Sequence, residues 1–148
     1  MDALRLLKDD HDLVKGLLEE LDSTTERAEK GRTEGLARLK RLLTTHETIE
    51  EEIFYPALKQ FAEAKDIVLE AYEEHDVVDT IVGELEQTPV SDETWAAKFT
   101  VMKENLEHHI EEEEGEMFGQ ARQLMDADEL ESLGVQMEER KQAIFSRA

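Results

Sequence analysis

The chain has 148 residues, with 38 acidic against 17 basic side chains and a formal net charge of −21. Such a polyanion lacks the positive surface that nucleic acid or an anionic membrane requires. It has no cysteine, which excludes disulfides, thiolate metal sites and thiol catalysis.

Nothing in the sequence reads as a signal peptide or a membrane span, so a soluble, cytoplasmic protein is expected. Two prolines and seven glycines leave few breaks, and Leu, Glu, Ala and Lys dominate, which predicts an all-α chain. The first helix is expected over about 2–23, ending where Asp22-Ser23-Thr24-Thr25 loosens the pattern. Its apolar seam is Leu4, Leu7, Val14, Leu18 and Leu21, and the vacant seat in that series is His11. After a polar link through Gly31 and Gly35, a second helix over about 33–61 carries Leu36, Leu39, Leu43, Ile53 and Ala57. His46 and Glu50 hold the two seats between Leu43 and Ile53. Tyr55 falls nearly opposite them and reads as packing, and Pro56 is expected to bend the helix just past that point.

The third helix, over about 66–87, has the seam Val68, Ala71, Val78, Val82 and Leu85, with His75 in the remaining seat. It stops at Thr88-Pro89, and Ser91 is the expected N-cap of the fourth. That helix runs to about 125 with Trp95, Phe99, Met102, Leu106, His109, Glu113 and Met117 on one face. The stretch Asp126-Ala127-Asp128-Glu129 resembles a capping box for a last helix reaching Phe145, with Leu130, Leu133, Met137 and Ile144. The expected organisation is a four-helix bundle over 1–125, made of two hairpins (2–61 and 66–125), followed by a C-terminal helix within 126–148. The last helix either packs on the bundle or supplies a homodimer contact.

The two hairpins echo each other. Asp10-His11-Asp12-Leu13-Val14 matches Glu74-His75-Asp76-Val77-Val78, and His46-x-x-x-Glu50-Glu51 matches His109-x-x-x-Glu113-Glu114. At a rise of about 1.5 Å per residue, His11 and His46 both lie near 18 Å from their shared loop. His75 and His109 match less closely, by about five residues, which slanted helices accommodate. Two hairpins related by a pseudo-twofold axis would therefore bring four histidines and two glutamates together in an antiparallel up-down four-helix bundle.

A lone histidine in a helical seam is usually a packed core residue, and a single His-x-x-x-Glu stabilises many ordinary helices. Here the pair occurs twice in seam register, with two further seam histidines at matching intervals. No Arg or Lys sits in the seams to compensate two buried carboxylates. Mixed imidazole and carboxylate ligation suits iron, manganese or zinc, with Glu50 and Glu113 bridging two ions.

The pattern H…HxxxE…H…HxxxE, with Glu50-Glu51-x-x-Phe54-Tyr55-Pro56 after the second histidine, resembles the hemerythrin-like (HHE cation-binding) family over about residues 4–125. The ferritin-like alternative relies on Glu-x-x-His, which this sequence lacks. The resemblance implies a non-haem di-iron centre with an oxo or hydroxo bridge, iron being favoured over manganese or zinc. It implies His11, His46, Glu50, His75, His109 and Glu113 as ligands.

Oxygen-carrying members use a fifth histidine one turn from another on the third helix. Here those positions are Ala71 and Asp79. Four histidines, two bridging carboxylates and a solvent bridge then leave about two of twelve octahedral positions open. Tyr72, three residues before His75, and Glu47, beside His46, are reserve ligands or supporting residues; a packed tyrosine and a surface glutamate are their plainer readings. Peroxide disproportionation, or scavenging of reactive oxygen species or nitric oxide, is the activity favoured by the open positions. Reversible binding or sensing of O2, NO or iron, and a metal-free acidic bundle, are the alternatives. The reactant in every metal-based reading is a small molecule such as O2, H2O2 or NO.

Overall fold

The structure, a computed structural model, describes residues 1–146, which are helical apart from short connections and contain no strand. The helices are α1 (Ala3–Asp22), α2 (Glu29–Ile49), α3 (Tyr55–Lys59), α4 (Lys65–Glu86), α5 (Glu93–Glu112), α6 (Phe118–Leu124) and α7 (Ala127–Phe145). A π-helical turn, Glu50–Phe54, runs α2 into α3, and a second, Glu113–Met117, runs α5 into α6. The result is four long rods in up-down-up-down order, with α1 against α2 and α5, and α4 against α5 and α2. No helix among the described residues is long and apolar enough to cross a membrane.

Helix starts follow capping chemistry. Asp2 Oδ1 accepts from Arg5 N at 2.8 Å, and Asp126 Oδ1 from Glu129 N at 2.8 Å, the latter as the capping box predicts. For α5 the cap is Asp92, not Ser91: its carboxylate accepts from both the backbone N and the hydroxyl of Thr94 at 2.7 Å. A carboxylate at a helix N-terminus also answers the dipole, which a serine hydroxyl does less well.

The rods bury two apolar clusters with a polar layer between them. One gathers Leu7, Ile49, Phe54, Tyr55, Val68, Met117 and Phe118. The other gathers Val14, Leu18, Leu39, Val82, Trp95 and Met102. The seams of the first, third and fourth rods are buried as their periodicity predicts. The second rod departs from its pattern after Glu50. Phe54 and Leu58 are buried there, and the expected Ile53 and Ala57 are half-buried. The π turn is the reason. It adds one residue to a single turn, so the inward face slips by one position. Pro56, which has no N–H to give the Glu52 carbonyl, removes the competing α-helical bond at that point.

Helix α7 lies on the bundle, against α1 and α2. It buries Leu130 and Met137 and approaches the N-terminal backbone closely at Gly134, where an added Cβ would stand 2.7 Å from Asp2 C and 2.9 Å from Ala3 N. Arg140 pairs with Glu52 at 2.9 Å, and Lys141 pairs with Asp10.

Candidate metal centre

In the polar layer, His11 (from α1), His46 (α2), His75 (α4), His109 (α5), Glu50 and Glu113 converge, each no more than 6% exposed. Both glutamates open a π turn, a distortion common where a helix must present side chains to a site. The imidazoles form two mirror pairs, His11 with His46 and His75 with His109, each with ring centroids 4.9 Å apart and edge-to-face. Each carboxylate spans both hairpins. Glu50 Oε1 lies 3.2 Å from Nε2 of both His46 and His75. Glu113 lies 3.4 Å from His11 Nε2 and 3.2 Å from His109 Nε2.

Every imidazole is held from behind by a carboxylate at Nδ1. Within each hairpin, His46 donates to Asp10 at 3.0 Å and His109 to Glu74 at 2.8 Å. Across the hairpins, His11 donates to Glu114 at 2.6 Å and His75 to Glu51 at 2.7 Å. A carboxylate only accepts, so Nδ1 carries the proton and Nε2 faces the centre, as metal-ligating histidines are arranged. These outer carboxylates were legible in the repeat: Asp10 and Glu74 each precede a seam histidine, and Glu51 and Glu114 each follow a seam glutamate.

The inward atoms are left without hydrogen-bond partners: Nε2 of His11, His46 and His109, both oxygens of Glu50, and Oε1 of Glu113. Buried polar atoms are rarely orphaned, and so many at one point call for a cation. Two overlapping sets offer ligand atoms within 4.8 Å of one another: His11, His46, Glu50, Glu113, and Glu50, His75, His109, Glu113. Both glutamates belong to both sets. Without metal, protons take the cation's part. Burial opposes a charged imidazole, but the surrounding carboxylates outweigh it. His46 and His75 are held above their ordinary value, and His109 is pushed up to about 10. Burial likewise works against an ionised Glu113, but its close neighbours Glu50, His109 and His11 hold it well below the carboxylate range.

The model of the hemerythrin HHE cation-binding domain matches residues 2–121. The chain belongs to that family. A crystal structure of a hemerythrin HHE cation binding domain-containing protein from Mycobacterium kansasii is similar to it, with 29% identity and a TM-score of 0.86, covering 97% of this chain and 86% of the other. No curated protein sequence matches. The HHE bundle of this chain thus carries a buried donor set fit for metal cations.

Two flanking residues stand apart from their expected places. Tyr55, expected to pack away from the site, turns into it. Its hydroxyl donates to Glu113 Oε2 at 2.6 Å and lies 3.3 Å from His75 Nε2, with its ring stacked on that imidazole. An α-helix would set Tyr55 roughly 140° around from Glu50. The π turn bonds Tyr55 N to Glu50 O, five residues back, and brings the two onto one face. Burial and the Glu113 and Glu50 carboxylates keep the phenol protonated. Tyr72 stays outside the cluster: its hydroxyl meets the Glu51 carbonyl at 3.4 Å and its ring lies edge-on to Tyr55. Glu47 is buried, not on the surface. Burial, with Asp79, Glu50 and Glu51 around it, pushes its carboxyl up to about 10.

Proposed function

We propose that this HHE protein is a non-haem di-iron enzyme that disproportionates hydrogen peroxide in the cytoplasm, two peroxides yielding one dioxygen and two waters. Two imidazoles and two shared carboxylates per ion form a donor set suited to iron, and less to zinc, which prefers fewer ligands. The iron pair would supply the electrons exchanged between one peroxide and the next. The protein's own part is to position, to limit access and to handle protons. A void of about 10 Å³ beside the four histidines, walled by Val14, Leu43, Leu106 and Ile110 with Glu47 among them, restricts the centre to very small reactants.

The observation that carries the proposal is the Tyr55 hydroxyl. Splitting an O–O bond to water consumes protons, and oxidising a second peroxide returns them. Tyr55, bonded to Glu113 Oε2 and 3.3 Å from His75 Nε2, holds a proton where both events take place. Reversible binding of O2 or NO is the second reading, favoured by the aliphatic walls of the void. An oxygen electrode separates the two on iron-loaded protein. Evolution of one O2 per two peroxides, over many cycles, supports disproportionation. A spectral change that reverses on lowering oxygen, with no turnover, supports the carrier or sensor. Unchanged thermal stability after chelation, with no metal taken up, would leave the acidic bundle as the reading.

A further inference from the structure

Between α2 and α4 lies a groove of about 490 Å³. Its acidic lining descends from solvent to core, from exposed Asp79 through half-buried Glu51 to buried Glu47. At its outer end Lys40 is tied to Glu86 at 2.9 Å, so it does not reach down to neutralise the floor. Glu47 is only 9% exposed, and the side chain its carboxyl meets is another carboxylate, Asp79. Leu43 and Glu47 line both this groove and the small void beside the four histidines, so they form the wall between them. Glu47, Glu51 and His75 offer ligand atoms within 4.8 Å of one another.

The repeat shows that the cluster does not require this arrangement. The residues matching Glu47 and Asp79 in the other half are Ile110 and Lys15, and the donor set there is complete without acids at those places. On this side the wall of the cluster presents carboxyl oxygens, the ligands a hard cation takes, to an open groove.

We propose that this groove is the entry route by which divalent cations reach the cluster, with Glu47, Asp79 and the free oxygen of Glu51 forming a transit site. The chemical class is a hard divalent ion, Fe(II) above all, still partly hydrated when held by carboxylates. Asp79 captures the ion at the mouth, and Glu47 passes it through the wall to Glu50 and His75. The inference rests on the reading of the cluster as a metal centre.

Metal-free wild type and the Glu47→Gln/Asp79→Asn variant are mixed anaerobically with Fe(II), and both the rate of filling and the final iron per chain are measured. Steering by such a funnel changes on-rates by roughly 10–1000-fold. The variant should therefore fill at least about tenfold more slowly and reach the same final iron content, and its rate should lose most of the wild type's dependence on ionic strength. Asp79→Asn alone, at an exposed position, should slow filling by a smaller factor without touching the fold. Ile110 and Lys15 lie on the opposite face, so Lys15→Met should leave the rate unchanged. Equal rates in wild type and double variant overturn the route. A lower final iron content in the variant also overturns it, because Glu47 would then be a ligand of the cluster. Failure of the wild type itself to take up iron overturns the metal-centre reading, and the entry route with it.

Discussion

The two halves of the cluster are alike in what faces the centre and unlike in what stands behind it. Each half presents two imidazoles, each backed by a carboxylate, and both share Glu50 and Glu113. Behind His75 stands Tyr55; at the matching place behind His11 stands Phe118, stacked on the imidazole at 6.2 Å but without a hydroxyl. Behind His46, Asp10 is paired with Lys141 from α7, whereas Glu74 behind His109 has no lysine or arginine among the described residues. A duplicated hairpin accounts for the common inner set. Single side chains behind the imidazoles make the two donor sets chemically different, one beside a phenol hydroxyl and the other with a compensated carboxylate.

The shared carboxylates test the symmetric part most severely. Because Glu50 and Glu113 each belong to both sets, Glu50→Ala and Glu113→Ala should each lose both ions, by more than the roughly 10–100-fold in affinity expected of an outer partner. Metal content per chain after dialysis measures this. A variant that keeps one ion at full occupancy would show that its carboxylate serves one position only.

Tyr55→Phe makes the halves alike at the cost of one hydroxyl. Peroxide turnover should fall by about 100–10,000-fold, the range of general acid–base contributions, while metal content stays the same. Phe118→Tyr in that background should restore part of the rate by placing the hydroxyl beside His11. Undiminished turnover in Tyr55→Phe would put the proton donor elsewhere.

Tyr55 also marks where the sequence stopped being readable. The seams of α1, α4 and α5 are strictly periodic, so the burial of His11, His75, His109 and Glu113 follows from counting threes and fours. Asp10, Glu74, Glu51 and Glu114 could have been found the same way, because each sits beside a repeated residue. Tyr55 could not, because a π turn changes the angular count midway along a helix that still reads as continuous. Pro56 is the visible trace of that change, and it predicts a bend more readily than a slip of one residue. Lys141 was out of reach for a different reason: a contact between residues 131 positions apart depends on how α7 docks, which its short apolar stripe does not specify.

In both halves protons stand where metal would, so pH provides a smaller and graded test. The folded value of His109, about 10, lies above its ordinary 6.5. Its stabilising charge is therefore fully present below pH 6.5 and lost as pH rises through about 10. His46 and His75 are shifted the same way. Glu47, raised from 4.5 to about 10, adds to the same fall because the folded chain holds its proton longer. Metal-free protein should lose several degrees of Tm between pH 6.5 and about 10, and the gain in Tm on loading metal should grow over that window, since binding displaces these protons. A Tm of the metal-free chain that rises with pH would show that the imidazoles are not the charged groups.

The smallest effect belongs to Lys141. Lys141→Met removes the cation from Asp10 and leaves the hydrogen bond from His46 in place, so Asp10 keeps a partner and stability should change by only about 1 kcal/mol for a pair that is part-solvated at the lysine end. The effect at the metal should be larger than the effect on the fold. Freed of Lys141, Asp10 pulls harder on the His46 Nδ1 proton and makes Nε2 a stronger donor, as Glu74 already does for His109. The two positions should then fill with more nearly equal affinity, and a two-step titration with Fe(II) or Co(II) should contract toward one step. Steps that remain as far apart as in the wild type would place the asymmetry in Tyr55 alone.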